Sequence, residues 1–369
     1  MTSSVLTNAI PPKVAVLVLN WNGGARTIAC LKALFQQDYP NFLAVLVDNG
    51  SRDGSPGMIV RWARESLGPA GTLVEYPEET AARGGDDADE DALGHAPSRE
   101  RFVMITNRDN LGFDAGYNVG LDYVLRSPRP ADFAFLLNND ALVEKNCLSR
   151  LVAASLEHDI GLLGAVIKDR RTGDIQFARS GPFRRHLYIT LTHRQSVPEG
   201  KADFWASPIV SAAAMMLRAD VLKAVRSHRG FYLNPDLFMY HDELDFCHAA
   251  SQAGFSAGVV RDAIVYHANE ERPDLDRYSL IFHYYFTRNA VFLAKRILPA
   301  WQKRMFYVLD FLLNARRKAK FVLSGSAPAA RAIRLGAKDG LKEVMGKWKL
   351  HDDILSGKGF YEGRPHRKR

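Results

Sequence analysis

The stretch Asp132-Phe133-Ala134-Phe135-Leu136-Leu137-Asn138-Asn139-Asp140 constrains this chain more than any other. Five apolar residues run without a break and then give way at once to two amides and a carboxylate. A short, continuous apolar run of this kind reads as a strand buried on both faces of a sheet. Ligands of open α/β sheets gather beyond the carboxyl ends of such strands. Asp140 is therefore placed where a polar ligand sits. A carboxylate beside amide oxygens suits a hard divalent cation that also holds a diphosphate, although an Asn-Asn-Asp turn would use the same residues.

The rest of the chain repeats the pattern. Val14 to Leu19 is an apolar run closed by Asn20-Trp21-Asn22-Gly23-Gly24. A helix capped by Thr27 should follow and end near Gln37, before Tyr39-Pro40. Phe42 to Val47 then runs into Asp48-Asn49-Gly50. Strand, turn, helix and strand in this order make a βαβ unit, hence a parallel sheet. No Gly-x-Gly-x-x-Gly is present, so a dinucleotide fingerprint is unsupported. Asp48 either caps its turn or accepts hydrogen bonds from a nucleoside. Strands are also expected at Phe102–Ile105, 161–167, 208–217 and 258–265, and helices near 58–66 and 145–157. Asn110 to Gly120 places three glycines among Asn and Asp, which lets backbone approach a ligand and then open a helix. From Pro77 to Glu100 the acidic, Gly- and Ala-containing sequence reads as a solvated, mobile insertion.

Two polar clusters remain. His241-Asp242-Glu243-Leu244-Asp245 opens a helix. Acids are favoured there by the helix dipole, yet three carboxylates within four residues exceed what a cap needs. His267 lies just past the last apolar run, at a position equivalent to Asp140. It is either a structural histidine or a ligand.

Charge is divided along the chain. Of 49 Lys/Arg and 41 Asp/Glu, 19 and 6 lie from Lys295 onward, leaving 30 and 35 before it. The basic excess thus belongs to the C-terminal part, which argues against a nucleic-acid-binding core. Trp301, Met305, Val308, Leu309 and Leu312 recur at helical spacing there, followed by Arg316, Arg317, Lys318 and Lys320. This suits a helix lying on an anionic membrane surface. Three scattered cysteines fit a reducing compartment. The N-terminal residues lack a secretory pattern, and no apolar run reaches the ~18 residues of a spanning helix. A cytoplasmic protein, peripheral on the inner face of the membrane, is expected.

Taken in order, Val14 to Gly23, Val47 to Gly54, Asn110 to Gly120, Leu136 to Asp140, Gly230 to Cys247 and Ala263 to His267 resemble the family 2 glycosyltransferases, especially the rhamnosyltransferase-like branch. The resemblance spans roughly residues 13–290 and implies a GT-A fold there: a Rossmann-like, mostly parallel α/β sheet flanked by helices, split near 140 into nucleotide-sugar and acceptor halves. Outside it the residue pattern gives a tail (1–12), a basic amphipathic C-terminal helical extension (291–350) and a disordered end (351–369). The resemblance also implies an inverting enzyme that moves a sugar, such as rhamnose or another deoxyhexose, from a dTDP- or UDP-sugar to a surface-glycan or lipid-linked hydroxyl. In its terms Asp140 and His267 hold Mn²⁺ or Mg²⁺. Asn20, Trp21, Asp48, Asn110, Asn118 and Asn138 surround the donor, and Glu243 is the base, with Asp242 its competitor. The family's Asp-x-Asp is here Asn138-x-Asp140, and its Glu-Asp order is reversed at 242–243. Two further readings stay open: a sugar nucleotidyltransferase, against which the lack of Lys in the first turn counts, and a non-catalytic nucleotide-sugar-binding protein of the same fold.

Overall fold

The computed structural model describes residues 10–181, 193–194, 196–200, 202–268, 275–324 and 326–357. The expected disorder of 358–369, and the tail up to residue 9, lie outside them. In the first half β1 (Val14–Asn20), α1 (Gly24–Leu34), β2 (Phe42–Asp48), α2 (Ser55–Ser66) and β3 (Thr72–Pro77) lead through α3 (Glu78–Ala81) and α4 (Asp87–His95) to β4 (Arg101–Thr106), α5 (Gly112–Arg126) and β5 (Phe133–Asn138). Next come β6 (Ala141–Val143), α6 (Cys147–His158), β7 (Leu162–Asp169), β8 (Ile175–Phe177), and β9 (Arg179–Ser180) paired with β10 (His193–Arg194). The chain continues with β11 (Phe204–Ala206), β12 (Ala214–Arg218), α7 (Ala219–Arg229), α8 (Asp242–Gln252) and β13 (Ala257–His267). It closes with α9 (Leu275–Ile297), α10 (Ala300–Leu323), α11 (Ala327–Leu341) and α12 (His351–Leu355).

The apolar runs form the centre of one mixed sheet, ordered β11-β13-β7-β12-β5-β1-β2-β4-β3. Val14 to Val18 and Phe42 to Val47 are almost wholly buried, as strands covered on both faces by helices must be. Register then positions the site. β1 runs parallel to both β2 and β5, with Asn20 beside Asp48 and Leu19 beside Asn138, so three polar strand ends lie side by side. β12 returns antiparallel between β5 and β7. β13 runs parallel to β7, shifts register between Val260 and Ile264, and ends with His267 opposite Ala141 of β6, next to Asp140.

Several expectations are corrected. α1 starts at Gly24 rather than at a Thr27 cap, because the Thr27 hydroxyl is drawn to Asn20 instead. The acidic stretch 77–100 is folded: α4 turns Glu90, 4% exposed, inward to accept hydrogen bonds from the Tyr123 and Tyr76 hydroxyls at 2.7 and 3.3 Å. Of 208–217 only Ala214 onward is strand. The segment expected to be disordered from residue 351 begins with α12, whose His351 is buried.

Candidate functional site

At the carboxyl ends of β1 and β2 the polar residues first satisfy one another. Asn20 donates to Asp48 Oδ2 at 2.7 Å and to the Ser51 and Ser55 hydroxyls, while its Oδ1 accepts from Thr27. Asp48 Oδ1 accepts from the Ser51 amide. Both side chains are fully buried. They were expected to touch a donor; in the structure their side chains hydrogen-bond within the protein and brace the turn after β2. Asn118 departs further: it makes a two-way pair with the Leu233 backbone, donating to its carbonyl at 2.8 Å and accepting from its amide at 2.9 Å. Asn49, which sequence reasoning passed over, is the hub of the next layer. It donates to Asn110 Oδ1 and the Gly112 carbonyl and accepts from Asn107 and the Leu111 amide. Gly112 has φ +87°, and a Cβ there would lie 2.4 Å from the Phe238 carbonyl oxygen. Only glycine permits that approach.

Trp21, Asn110 and Asp140 line two neighbouring cavities, and Asn138 and His267 adjoin Asp140. One, of about 360 Å³, is lined by Trp21, Arg52 and Asn110. The other, of about 170 Å³, is lined by Trp21, Arg26, Asn139, Asp140 and Tyr240. The larger is within the ~300–1,000 Å³ range of small-molecule clefts. A bigger cavity of about 660 Å³ lies elsewhere, between α8 and the α9–α10 junction, and holds none of the predicted residues.

Asp140 Oδ1 and His267 Nε2 are 3.1 Å apart. The Asn138 side-chain amide lies 3.2 Å from the same Nε2, and an unprotonated Nε2 would accept from it and face the carboxylate with a lone pair. Two acceptors at this spacing fit adjacent ligands of an ion with bonds of about 2.1 Å. A carboxylate and an imidazole, with remaining positions left to phosphate oxygens, is a donor set that Mn²⁺ accepts. Among the described residues a further grouping of potential ligands, Glu157, His158 and Asp203, is exposed and lies where α6 ends, at the opposite end of the sheet.

The acidic cluster sits at the start of α8, behind a strained turn. Phe238, Tyr240 and His241 have φ of +66°, +68° and +66°, each costing on the order of 1 kcal/mol or more. Two buried residues of α9 hold the turn. Asn289 donates to the carbonyls of Leu237, Met239 and Tyr240, and Arg288 donates to those of Asp236 and Leu237. Nothing in the sequence marks Arg288 and Asn289 for these partners. Asp242 is 6% exposed and Glu243 half-buried. Burial pushes Asp242 up to about 6. Burial, and next the Asp242 charge, push Glu243 well above the usual carboxylate range. The two side chains share a hydrogen bond, so they titrate as one unit. Asp245 is paired instead with Arg229 at 2.5 Å, and Arg229 also holds the Tyr232 carbonyl. The Tyr117 hydroxyl donates to the Leu137 carbonyl at 2.9 Å and is raised by burial first, with smaller contributions from nearby charges.

Asp114 was also missed. It lies in the first turn of α5, is fully buried, and has hydrogen-bond partners at neither oxygen. Burial, then the Asp242 charge, raise it well above its ordinary value. A folded-state value above the unfolded one means that the unfolded chain releases this proton first, so stability falls as pH rises from about 4 through the folded value. Asp114→Ala is therefore expected to gain stability relative to wild type as pH increases. Thermal midpoints at pH 5 and pH 8 check this: the difference should move in the variant's favour by about 2 °C or more, and a pH-independent difference contradicts it.

The fold is that of the GT-A glycosyltransferases. The chain is similar to the mannosyltransferase PcManGT from Pyrobaculum calidifontis, solved with GDP-Man and Mn²⁺, at 19% identity and a TM-score of 0.50, over 95% of this chain and 84% of that one. It is similar to GalNAc-T7, solved with UDP, GalNAc and Mn²⁺, at 13% identity and a TM-score of 0.51, over 80% of this chain and 53% of that one. No protein-family model and no curated protein sequence matches the chain.

Proposed function

We propose that this protein is a nucleotide-sugar glycosyltransferase that transfers a sugar to an acceptor hydroxyl with inversion. The observation that carries the reading is the pairing of Asp140 and His267, 3.1 Å apart, next to a turn that leads directly into the buried Asp242–Glu243 pair. A divalent ion such as Mn²⁺ or Mg²⁺, held by Asp140, His267 and the donor diphosphate, supplies charge neutralisation for the leaving nucleoside diphosphate. Trp21 and Asn110 line the nucleoside side of the site, and Asn138 orients His267. Glu243, the more exposed carboxyl, accepts the acceptor's proton, and Asp242 shares the proton already on the pair. The acceptor oxygen then attacks from the face opposite the diphosphate. A dTDP- or UDP-deoxyhexose donor and a surface-glycan or lipid-linked acceptor are the finer reading, resting on the resemblance to rhamnosyltransferase-like sequences.

The test is binding of UDP, dTDP and GDP with and without Mn²⁺, on wild type and Asp140→Ala. Mn²⁺-dependent binding of one of them, weakened about tenfold or more in the variant, is expected. Binding indifferent to both metal and Asp140 defeats the assignment.

No helix of the described residues is long and apolar enough to cross a membrane. We place the protein on an anionic lipid surface through α10. Trp301, Met305, Val308, Phe311 and Leu312 are 43–68% exposed along it, and Arg304, Arg316 and Lys320 are exposed around them. Apolar insertion plus attraction to anionic headgroups favours that orientation. Sedimentation with phosphatidylserine-containing vesicles should pull the protein down at low salt, less at high salt, and much less for Trp301→Ser combined with Phe311→Ser. Equal recovery of both proteins removes α10 as the contact.

A further inference from the structure

The C-terminal segment after α11 returns across the sheet to the donor cavities. Gly346 is tied to the strained turn by its amide, which donates to the Asp236 carbonyl at 2.7 Å, and by its carbonyl, which accepts from Arg288 at 2.5 Å. Lys347, Asp352 and Leu355 then line the larger cavity, across from Trp21, Arg52 and Asn110. His351 and Leu355 line the smaller one with Asp140. His351 is 1% exposed and sits among the rings of Trp21, Phe238 and Tyr285, at centroid distances of 6.2, 5.1 and 5.8 Å.

The Tyr285 oxygen accepts from the Trp348 amide at 2.7 Å and lies 3.3 Å from His351 Nδ1, and we take its hydroxyl to donate to that nitrogen. Nδ1 is then the acceptor, and Nε2 carries the ring's N–H. That Nε2 is buried and has no partner. Burial holds the ring neutral at neutral pH, its value pushed down to about 4. An orphaned buried donor in the wall of a cavity that also holds Asp140 is costly unless a ligand accepts from it.

We propose that the segment 347–356 is a wall of the nucleotide site, in which His351 donates from Nε2 to a diphosphate oxygen of the donor and Lys347 contacts its nucleoside. This rests on the donor-site reading above, and it assigns binding residues to a part of the chain outside the stretches that carry the family resemblance. Lys347 is held toward the cavity by Asp352 at 2.8 Å. The wall closes the site on the side that β1, β2 and β5 leave open.

The full chain is tested with UDP, dTDP and GDP in the presence of Mn²⁺, and with the corresponding nucleosides. His351→Phe keeps an aromatic ring in the cluster but removes the donor. It should weaken nucleoside diphosphate binding about ten- to a hundredfold and leave nucleoside binding unchanged. Lys347→Ala, a part-exposed position that tolerates truncation, should weaken both. Bound nucleotide should also protect the segment after Gly346 from proteolysis. Wild-type affinity in both variants, with Asp140→Ala still defective, overturns this wall while the donor site stands. Absence of binding by wild type to any nucleoside diphosphate overturns both. If His351→Phe does not fold, the Lys347→Ala affinity and the protection pattern decide.

Discussion

Glu243→Gln is expected to lower turnover by about 10²–10⁴-fold, the usual contribution of a positioned base, with donor affinity unchanged. Asp242→Asn should behave differently. In wild type Glu243 must be ionised to act, and burial and then the Asp242 charge raise it well above the usual carboxylate range, so the rate should rise with pH through that raised value. Removing the Asp242 charge removes one of the two influences that raise Glu243, so the acidic limb of the pH–rate profile should move to lower pH with a smaller loss of turnover. The opposite outcome, with Asp242→Asn inactive and Glu243→Gln shifted, would make Asp242 the base. That is chemically open because the order of Glu and Asp is reversed here, and Glu reaches one methylene further. Replacing both should abolish transfer and spare Mn²⁺-dependent nucleotide binding. Retained turnover in the double variant sinks the assignment of the base to this pair.

The sheet was legible because its strands are buried on both faces and so read as unbroken apolar runs. Asp140 and His267 were legible for the same reason: each terminates such a run, and register in a sheet makes strand ends neighbours. The same logic does not decide the partners of Asn20, Asp48 and Asn118. A polar residue at a strand end or helix start can serve a ligand or the backbone, and sequence does not say which; here hydrogen bonds within the protein take up those side chains. Glu90 shows the converse, since an acidic stretch looks solvated until two tyrosines from distant elements supply hydroxyls. Arg288, Asn289 and His351 were beyond reach because their partners are backbone carbonyls and ring faces about 50 residues or more away, which leave no periodic mark. The C-terminal basic excess hid α12 further by making the end of the chain look uniformly solvated.

The second large effect is expected at Arg288. Its guanidinium is fully buried, with no carboxylate among the described residues hydrogen-bonded to it, and its charge is spread over the carbonyls of Asp236, Leu237 and Gly346, the Asn289 amide oxygen at 2.9 Å, and the ring of Tyr285 at 4.7 Å. Arg288→Met fills much of the same volume but orphans those buried acceptors, at about 1–3 kcal/mol for each that finds no other partner. A net loss on the order of 3–5 kcal/mol follows. Arg288→Lys should not restore it, because a lysine ammonium is a compact point charge and cannot reproduce a planar fork that reaches three carbonyls at once. The location of the damage is more telling than its size. Arg288 joins the turn before Asp242 to Gly346, so its loss should release the base and the proposed nucleotide wall together. Limited proteolysis should then cut first within 236–241 and after Gly346, and nucleotide affinity should fall along with turnover. A variant that melts early but keeps wild-type nucleotide affinity at low temperature would show that Arg288 supports the fold without coupling the two parts of the site.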